Sequence, residues 1–144
     1  MSYSLIIPIY NEKRILPKLI DELHKLNNKK IEIIIIDDGS NDGTKNILDN
    51  NNEFIIKHNE CNLGKGASIL KGLELASSKN IIIIDGDLEI DINDIPMLIL
   101  HYENDKSDVL TGIRWGGKFD YQNFDINKFG NYVINFIFNL FYET

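Results

Sequence analysis

Asp85 and Asp87, with Gly86 between them and Ile81-Ile82-Ile83-Ile84 before them, are the residues of this chain whose types and spacing best suit chemistry. Residues i and i+2 of an extended segment leave it on the same side, so the two carboxylates can converge, and Gly86 allows close backbone approach between them. Paired hard oxygen donors suit a divalent cation carrying phosphates. The competing reading is an acidic turn that ends a strand and caps the next helix. Two further polar groups follow apolar runs in the same way. Pro8-Ile9-Tyr10-Asn11-Glu12 closes the run that begins at Leu5, and Asp37-Asp38-Gly39-Ser40-Asn41-Asp42-Gly43-Thr44 closes the run that begins at Ile31. Glu12 and Asp38 are acceptor-only groups, and Tyr10 offers an aromatic ring.

These groups need strands to carry them and helices to cover the strands. Four consecutive β-branched residues at 81–84 predict a strand covered on both faces, the habit of central parallel strands. A first strand is expected over 5–9, with pairing ending at Pro8 because proline lacks the ladder donor. A helix is expected from Glu12, capped by Asn11 and stopped by Asn27-Asn28, with Ile15, Leu16, Leu19, Ile20, Leu23 and Leu26 on one face. Strands follow at 31–36 and 54–56, separated by a short helix reaching Asn50. A helix opening at 64–67 carries Ile69, Leu70, Leu73 and Leu75, with Gly72 and Ala76 permitting close approach to a sheet. Further on are a helix from Asn93 or Asp94 to Tyr102, a fifth strand over 108–113, and a last helix over 126–142. This alternation predicts an α/β fold: a three-layer α/β/α sandwich around a mostly parallel sheet with right-handed connections. Segments 8–12, 37–40 and 85–87 then meet in one crevice outside the carboxyl ends of the strands, which favours the functional reading of the aspartate pair.

At 144 residues, 43% hydrophobic and 26% charged, the chain fits one globular domain, 1–144, with a core of its own. The net charge of −7 leaves no basic stripe, so nucleic acid is not an expected partner. A short apolar run without a basic flank opens the chain, which predicts neither a signal peptide nor a span and points to a cytoplasmic protein. Cys61 is the single cysteine, and His24, His58 and His101 lack zinc spacing and read as ordinary surface or boundary residues.

Four motifs in order carry a family resemblance: Ile6-Ile7-Pro8-Ile9-Tyr10-Asn11-Glu12, then Ile36-Asp37-Asp38-Gly39-Ser40-Asn41-Asp42-Gly43-Thr44, then Asn62-Leu63-Gly64-Lys65-Gly66-Ala67, then Asp85-Gly86-Asp87-Leu88-Glu89. Together they resemble the inverting family 2 glycosyltransferases, most similarly the polyprenyl-phosphate sugar synthases of the dolichol-phosphate mannose synthase group. The resemblance runs over about residues 5–143, with 108–114 and Gly130-Asn131 matching later landmarks. It implies a GT-A fold and inverting transfer of a sugar from a UDP- or GDP-sugar with Mg²⁺ or Mn²⁺. Carried over by position, Pro8, Tyr10 and Glu12 would cradle the base, and Ile36 and Asp38 would contact base or ribose. Asp85, Gly86 and Asp87 stand where the family has Asp-Ala-Asp, which implies Asp85 and Asp87 as metal ligands and Asp87 as catalytic. Arg114, after Gly112-Ile113 where the family has Gly-Ser, resembles its phosphate-clamping arginine; its plainer role is a surface ion pair. Lys65 is a candidate phosphate neighbour or else a solvated lysine.

A lipid-phosphate acceptor is already ionised and needs positioning rather than a general base, which fits the lack of an obvious one; Glu89 reads more simply as a cap or ion-pair residue. The family's acceptor-side region follows the part matched here, so the donor half is the better supported. Other readings are a haloacid dehalogenase-type phosphatase, which also uses Asp-x-Asp, and a glycosyltransferase-fold module that binds nucleotide sugar or a partner without transfer. A dinucleotide-binding domain would need glycines that 8–12 lacks. In the tail, Asn127, Asn131, Asn135 and Asn139 form a polar stripe on an otherwise apolar 126–142 helix. The plainer reading is a deeply packed helix whose stripe faces solvent; otherwise the surplus apolar face predicts a homo-oligomer contact, a missing region, or peripheral binding at the membrane surface that holds a polyprenyl phosphate.

Overall fold

Apolar side chains at alternating positions send β1 (Tyr3–Ile9) and β2 (Ile31–Asp37) into the centre of a parallel sheet whose order is β3-β2-β1-β4, with β3 at Ile55–His58 and β4 at Asn80–Ile83. The structure is a computed structural model, and it describes residues 2–26, 31–105 and 109–110. Among the described residues four helices, α1 (Leu16–Leu26), α2 (Thr44–Leu48), α3 (Lys65–Leu75) and α4 (Ile95–Asp105), connect or follow the strands, with a short 3-10 turn at Ile92–Asp94 before α4.

The period of two divides the core into two layers. Leu5, Ile7, Ile9, Ile33 and Ile35 pack with Leu16, Leu19, Leu23 and Leu26 of α1 and with Ile92 and Ile95. Ile6, Ile34 and Ile36 face the other way, onto Ala76 and Ile81. On that side α3 lays its small residues against the sheet: Ser68 and Gly72 are its buried positions, whereas Leu70, Leu73 and Leu75, expected to pack, are exposed. The reason is steric. A Cβ on Gly72 would lie 2.4 Å from Ile6 Cγ2, so the helix sits too close for larger side chains on its inner face. Gly72→Ala is therefore expected to destabilise the protein by about 1–3 kcal/mol through overpacking. Gly66→Ala, on the same helix with nothing within 4 Å of the added carbon, should be neutral or stabilising by up to about 1 kcal/mol. Urea unfolding of the two variants checks the contrast.

β4 was the expected central strand, yet among the described residues it stands at the end of the order, and β1 and β2 are central. Its Ile81 and Ile82 are half-buried and Ile83 is 47% exposed. Of the expected fifth strand, only Val109 and Leu110 are described, without regular structure; the remainder and the 126–142 helix lie outside the described residues. Pro8 does not end the pairing of β1 with β2, which runs through Ile9↔Asp37. Ile84 N donates to Ile6 O and Asp38 N donates to Ile9 O, so even positions of β1 face β4 and odd positions face β2. The missing N–H of Pro8 thus falls on the β4 side, where pairing stops at Ile6↔Ile83. Likewise, α1 begins at Leu16 rather than Glu12. Glu12 O accepts from Ile15 N and Leu16 N, and Pro17 occupies the first turn, where no donor is needed. β1 to β2 to β3 winds one way and β4 returns to the far side of β1, which puts α1 and α3 on opposite faces and creates a switch point at the carboxyl ends of β1 and β4.

Candidate functional site

At that switch point lies a cleft of about 450 Å³ whose wall includes Pro8, Tyr10 and Glu12 from the end of β1, Asp38 after β2, Asn62, Gly64 and Lys65 at the start of α3, and Asp85, Gly86 and Asp87 after β4. Segments far apart in sequence are thus brought together by strand order alone. Ile36 is the exception among the described candidates. It is fully buried, packed with Ile6 and Ile34, and is not part of the wall. Arg114 lies outside the described residues.

The rim is stitched by side chains. Asn11, which sits at φ 57, donates its amide to Ser40 Oγ at 2.8 Å and accepts from Asn41 N at 2.9 Å through Oδ1. It therefore ties the loop after β1 to the loop after β2 instead of capping α1. Lys13 N adds a bond to Asp42 Oδ2 at 3.0 Å, while Asp42 Oδ1 accepts from Thr44 N at 2.9 Å. Gly39, at φ 73, lets the β2 loop pass under the next one; a Cβ there would lie 2.5 Å from the Cys61 carbonyl carbon.

Asp38 is only 3% exposed and anchors the loop before α3. Its Oδ1 accepts from Asn59 Nδ2 at 2.7 Å and Leu63 N at 2.9 Å, and its Oδ2 accepts from Gly64 N at 2.8 Å. Burial pushes its pKa up, but those bonds, with Ser68, outweigh burial and hold it below the usual aspartate value. Asn59, itself buried, passes the network on to Ser68 Oγ at 3.2 Å and Lys71 Nζ at 2.6 Å. Two residues that sequence reasoning did not single out matter here. Asn62 lines the cleft and accepts from Gly64 N at 3.1 Å, an Asx turn that the Asn-Leu-Gly run could have signalled. His58, expected to be an ordinary boundary residue, bridges buried Asp37 Oδ2 at 2.7 Å and Asp49 Oδ1 at 3.0 Å; Asp37 Oδ1 in turn accepts from Ser40 N at 3.0 Å.

On the opposite wall, Gly86 is buried against β1, where a Cβ would lie 2.9 Å from Ile9 Cγ1. This close approach sets Asp85 and Asp87 beside Pro8 and Tyr10. Asp87 Oδ1 accepts from Glu89 N at 3.0 Å, and Asp85 Oδ1 is paired with Lys65 Nζ. Glu12 is pushed up from the ordinary glutamate value by burial and then by the charges of Asp87 and Asp42. Among the described residues no three His, Cys, Asp or Glu side chains stand close enough to hold a metal by themselves. Two hard carboxylates in a cleft already crowded with negative charge do fit a divalent cation that takes its remaining ligands from phosphates and water.

The sequence matches the family model described as Glycosyl transferase family 2 over residues 4–142, and the chain belongs to that family. The parallel sheet, with helices packed on both of its faces, is the GT-A fold. The chain is 37% identical over 119 residues to an uncharacterized protein of Methanocaldococcus jannaschii, a match that covers 76% of this chain and 50% of that one. It is 34% identical over 119 residues to the undecaprenyl-phosphate 4-deoxy-4-formamido-L-arabinose transferase of Yersinia pestis, covering 77% of this chain and 36% of that protein. The chain thus spans half or less of the length of both relatives. Its fold is similar, with a TM-score of 0.58 and 23% identity, to glucosyl-3-phosphoglycerate synthase from Mycobacterium tuberculosis in complex with Mn²⁺, UDP and glucosyl-3-phosphoglycerate; the match covers 69% of this chain and 39% of that one. Among the described residues no helix is long and apolar enough to cross a membrane.

Proposed function

We propose that residues 1–144 form the nucleotide-sugar-binding domain of an inverting glycosyltransferase that uses a UDP- or GDP-sugar with Mg²⁺ or Mn²⁺ and a polyprenyl phosphate as acceptor. The observation that carries the reading is the single cleft that gathers Pro8, Tyr10, Glu12, Asp38, Lys65, Asp85, Gly86 and Asp87 at the switch point. Tyr10, 43% exposed, offers its ring to the base. Asp38, on the cleft wall, is an acceptor-only group that suits a base N–H or a ribose hydroxyl. Asp85 and Asp87 are the proposed metal ligands. A divalent cation bound there would neutralise charge on the departing nucleotide diphosphate. Arg114 is the proposed second phosphate contact. The acceptor rests on the similarity to an undecaprenyl-phosphate sugar transferase, and a phosphate nucleophile, already ionised, needs positioning more than a general base. With such an acceptor the protein would work in the cytoplasm at the membrane surface, aided by the many apolar residues of the 126–142 segment.

Thermal melting with UDP, GDP, CDP and dTDP and their sugar conjugates, each with Mn²⁺ and with chelator, tests the reading. The right nucleotide at a hundred times its dissociation constant should stabilise the protein by about 2.7 kcal/mol, and only with metal. No metal-dependent shift with any of them overturns the proposal. Sugar turnover onto a polyprenyl phosphate separates a transferase from a binding module.

A further inference from the structure

Among the described residues that line the cleft, four carboxylates, Glu12, Asp38, Asp85 and Asp87, face one ammonium, that of Lys65. Lys65 is the first residue of α3, and the bonds from Leu63 N and Gly64 N to Asp38 fix the backbone from which its side chain starts. From there it crosses the cleft to Asp85 Oδ1, so the ion pair joins two elements that are far apart in sequence. Lys65 is 58% exposed and Asp85 29% exposed, a setting in which ion pairs are weak and screened. A lysine ammonium is a compact charge on a flexible stem, able to change partners without moving its backbone.

We infer that Lys65 is a resident counter-cation: it holds Asp85 when no nucleotide is bound, competes with a divalent cation for that carboxylate, and turns to the nucleotide diphosphate when metal and nucleotide enter together. The second half rests on the nucleotide-sugar reading; the competition for Asp85 does not. The consequence is an opposition of signs that neither a solvated lysine nor a plain phosphate ligand would give. A solvated lysine changes nothing when removed, and a plain phosphate ligand weakens nucleotide binding without strengthening metal binding.

The test is Mn²⁺ titration followed by electron paramagnetic resonance of the free ion, on wild type and Lys65→Met, without nucleotide and then with UDP or GDP. Lys65→Met should bind Mn²⁺ alone about three- to tenfold more tightly and, at saturating Mn²⁺, bind the nucleoside diphosphate about three- to tenfold more weakly. In an Asp85→Asn background the gain in Mn²⁺ affinity should vanish, because the two side chains act on one another. Mn²⁺ affinity that is unchanged or weakened in Lys65→Met, in a variant that melts as wild type does, overturns the proposal. Tighter Mn²⁺ binding together with no nucleotide binding by either protein keeps the competition and overturns the nucleotide reading.

Discussion

Asp87→Asn is expected to lose metal-dependent nucleotide binding and to leave the unliganded protein as stable as wild type or slightly more so. Asn keeps the bond that Asp87 makes with Glu89, since its side-chain oxygen can still accept from Glu89 N. What it loses is charge. Glu12 is held above its ordinary value by burial and then by Asp87, so a neutral residue at 87 relieves repulsion across the cleft. The change in unliganded stability should lie within about 0.5 kcal/mol, with the sign toward stabilisation. Nucleotide affinity in the presence of Mn²⁺ should fall about a hundredfold or more, since loss of a ligand exceeds the 10- to 100-fold typical of residues behind the ligands. Calorimetric titration and melting on the same preparation read both quantities. Lost stability with retained affinity would return Asp87 to a turn-forming role.

The second large effect is expected at Asp38. Asp38→Ala takes the acceptor from Leu63 N and leaves Gly64 N and Asn59 Nδ2 only their longer bonds to Asn62 Oδ1 and Ser68 Oγ, which should cost about 2–4 kcal/mol. Nucleotide binding should fall with it, since the start of α3 and Lys65 depend on those bonds. The pH dependence has a definite sign. The folded-state pKa of Asp38 lies below its unfolded value, so its carboxylate contributes stability that is fully present above the ordinary aspartate range and lost as pH falls through the depressed folded value. Denaturant midpoints measured from neutral to acid pH should therefore converge for wild type and Asp38→Ala at the acid end. Midpoints that stay parallel would remove Asp38 from the acid-sensitive part of the stability.

Much of this was legible in the sequence, because apolar runs that end in acidic turns say where strands stop and what they present. The three polar segments after β1, β2 and β4 do line one cleft. Two kinds of information were not legible. An apolar run such as 81–84 says that both faces meet apolar neighbours but not which strands bond its edges, so the pairing of β4 with β1, at the end of the order among the described residues, could not be read from it. Periodicity also weights large side chains, so Leu70, Leu73 and Leu75 drew attention on α3; the close approach expected at Gly72 is observed, and the buried residue beside it that spacing did not mark is Ser68. Side-chain bonds between distant loops are invisible to spacing. Asn11 looked like a cap because its type suits one, but its partners, Ser40 and Asn41, are 29 and 30 residues away. The grip of Asp38 on the loop before α3 and the bridge of His58 between Asp37 and Asp49 belong to the same class.

The central claim is that a divalent cation held by Asp85 and Asp87 joins a nucleoside diphosphate to this cleft. Crystals grown with Mn²⁺ and the nucleotide selected by melting, measured for the anomalous signal of manganese, test it most directly. An anomalous peak is expected within bonding distance of carboxylate oxygens of Asp85 and Asp87 and of the diphosphate, with the base beside Tyr10. A nucleotide ordered in the cleft with manganese bound away from both aspartates would contradict it.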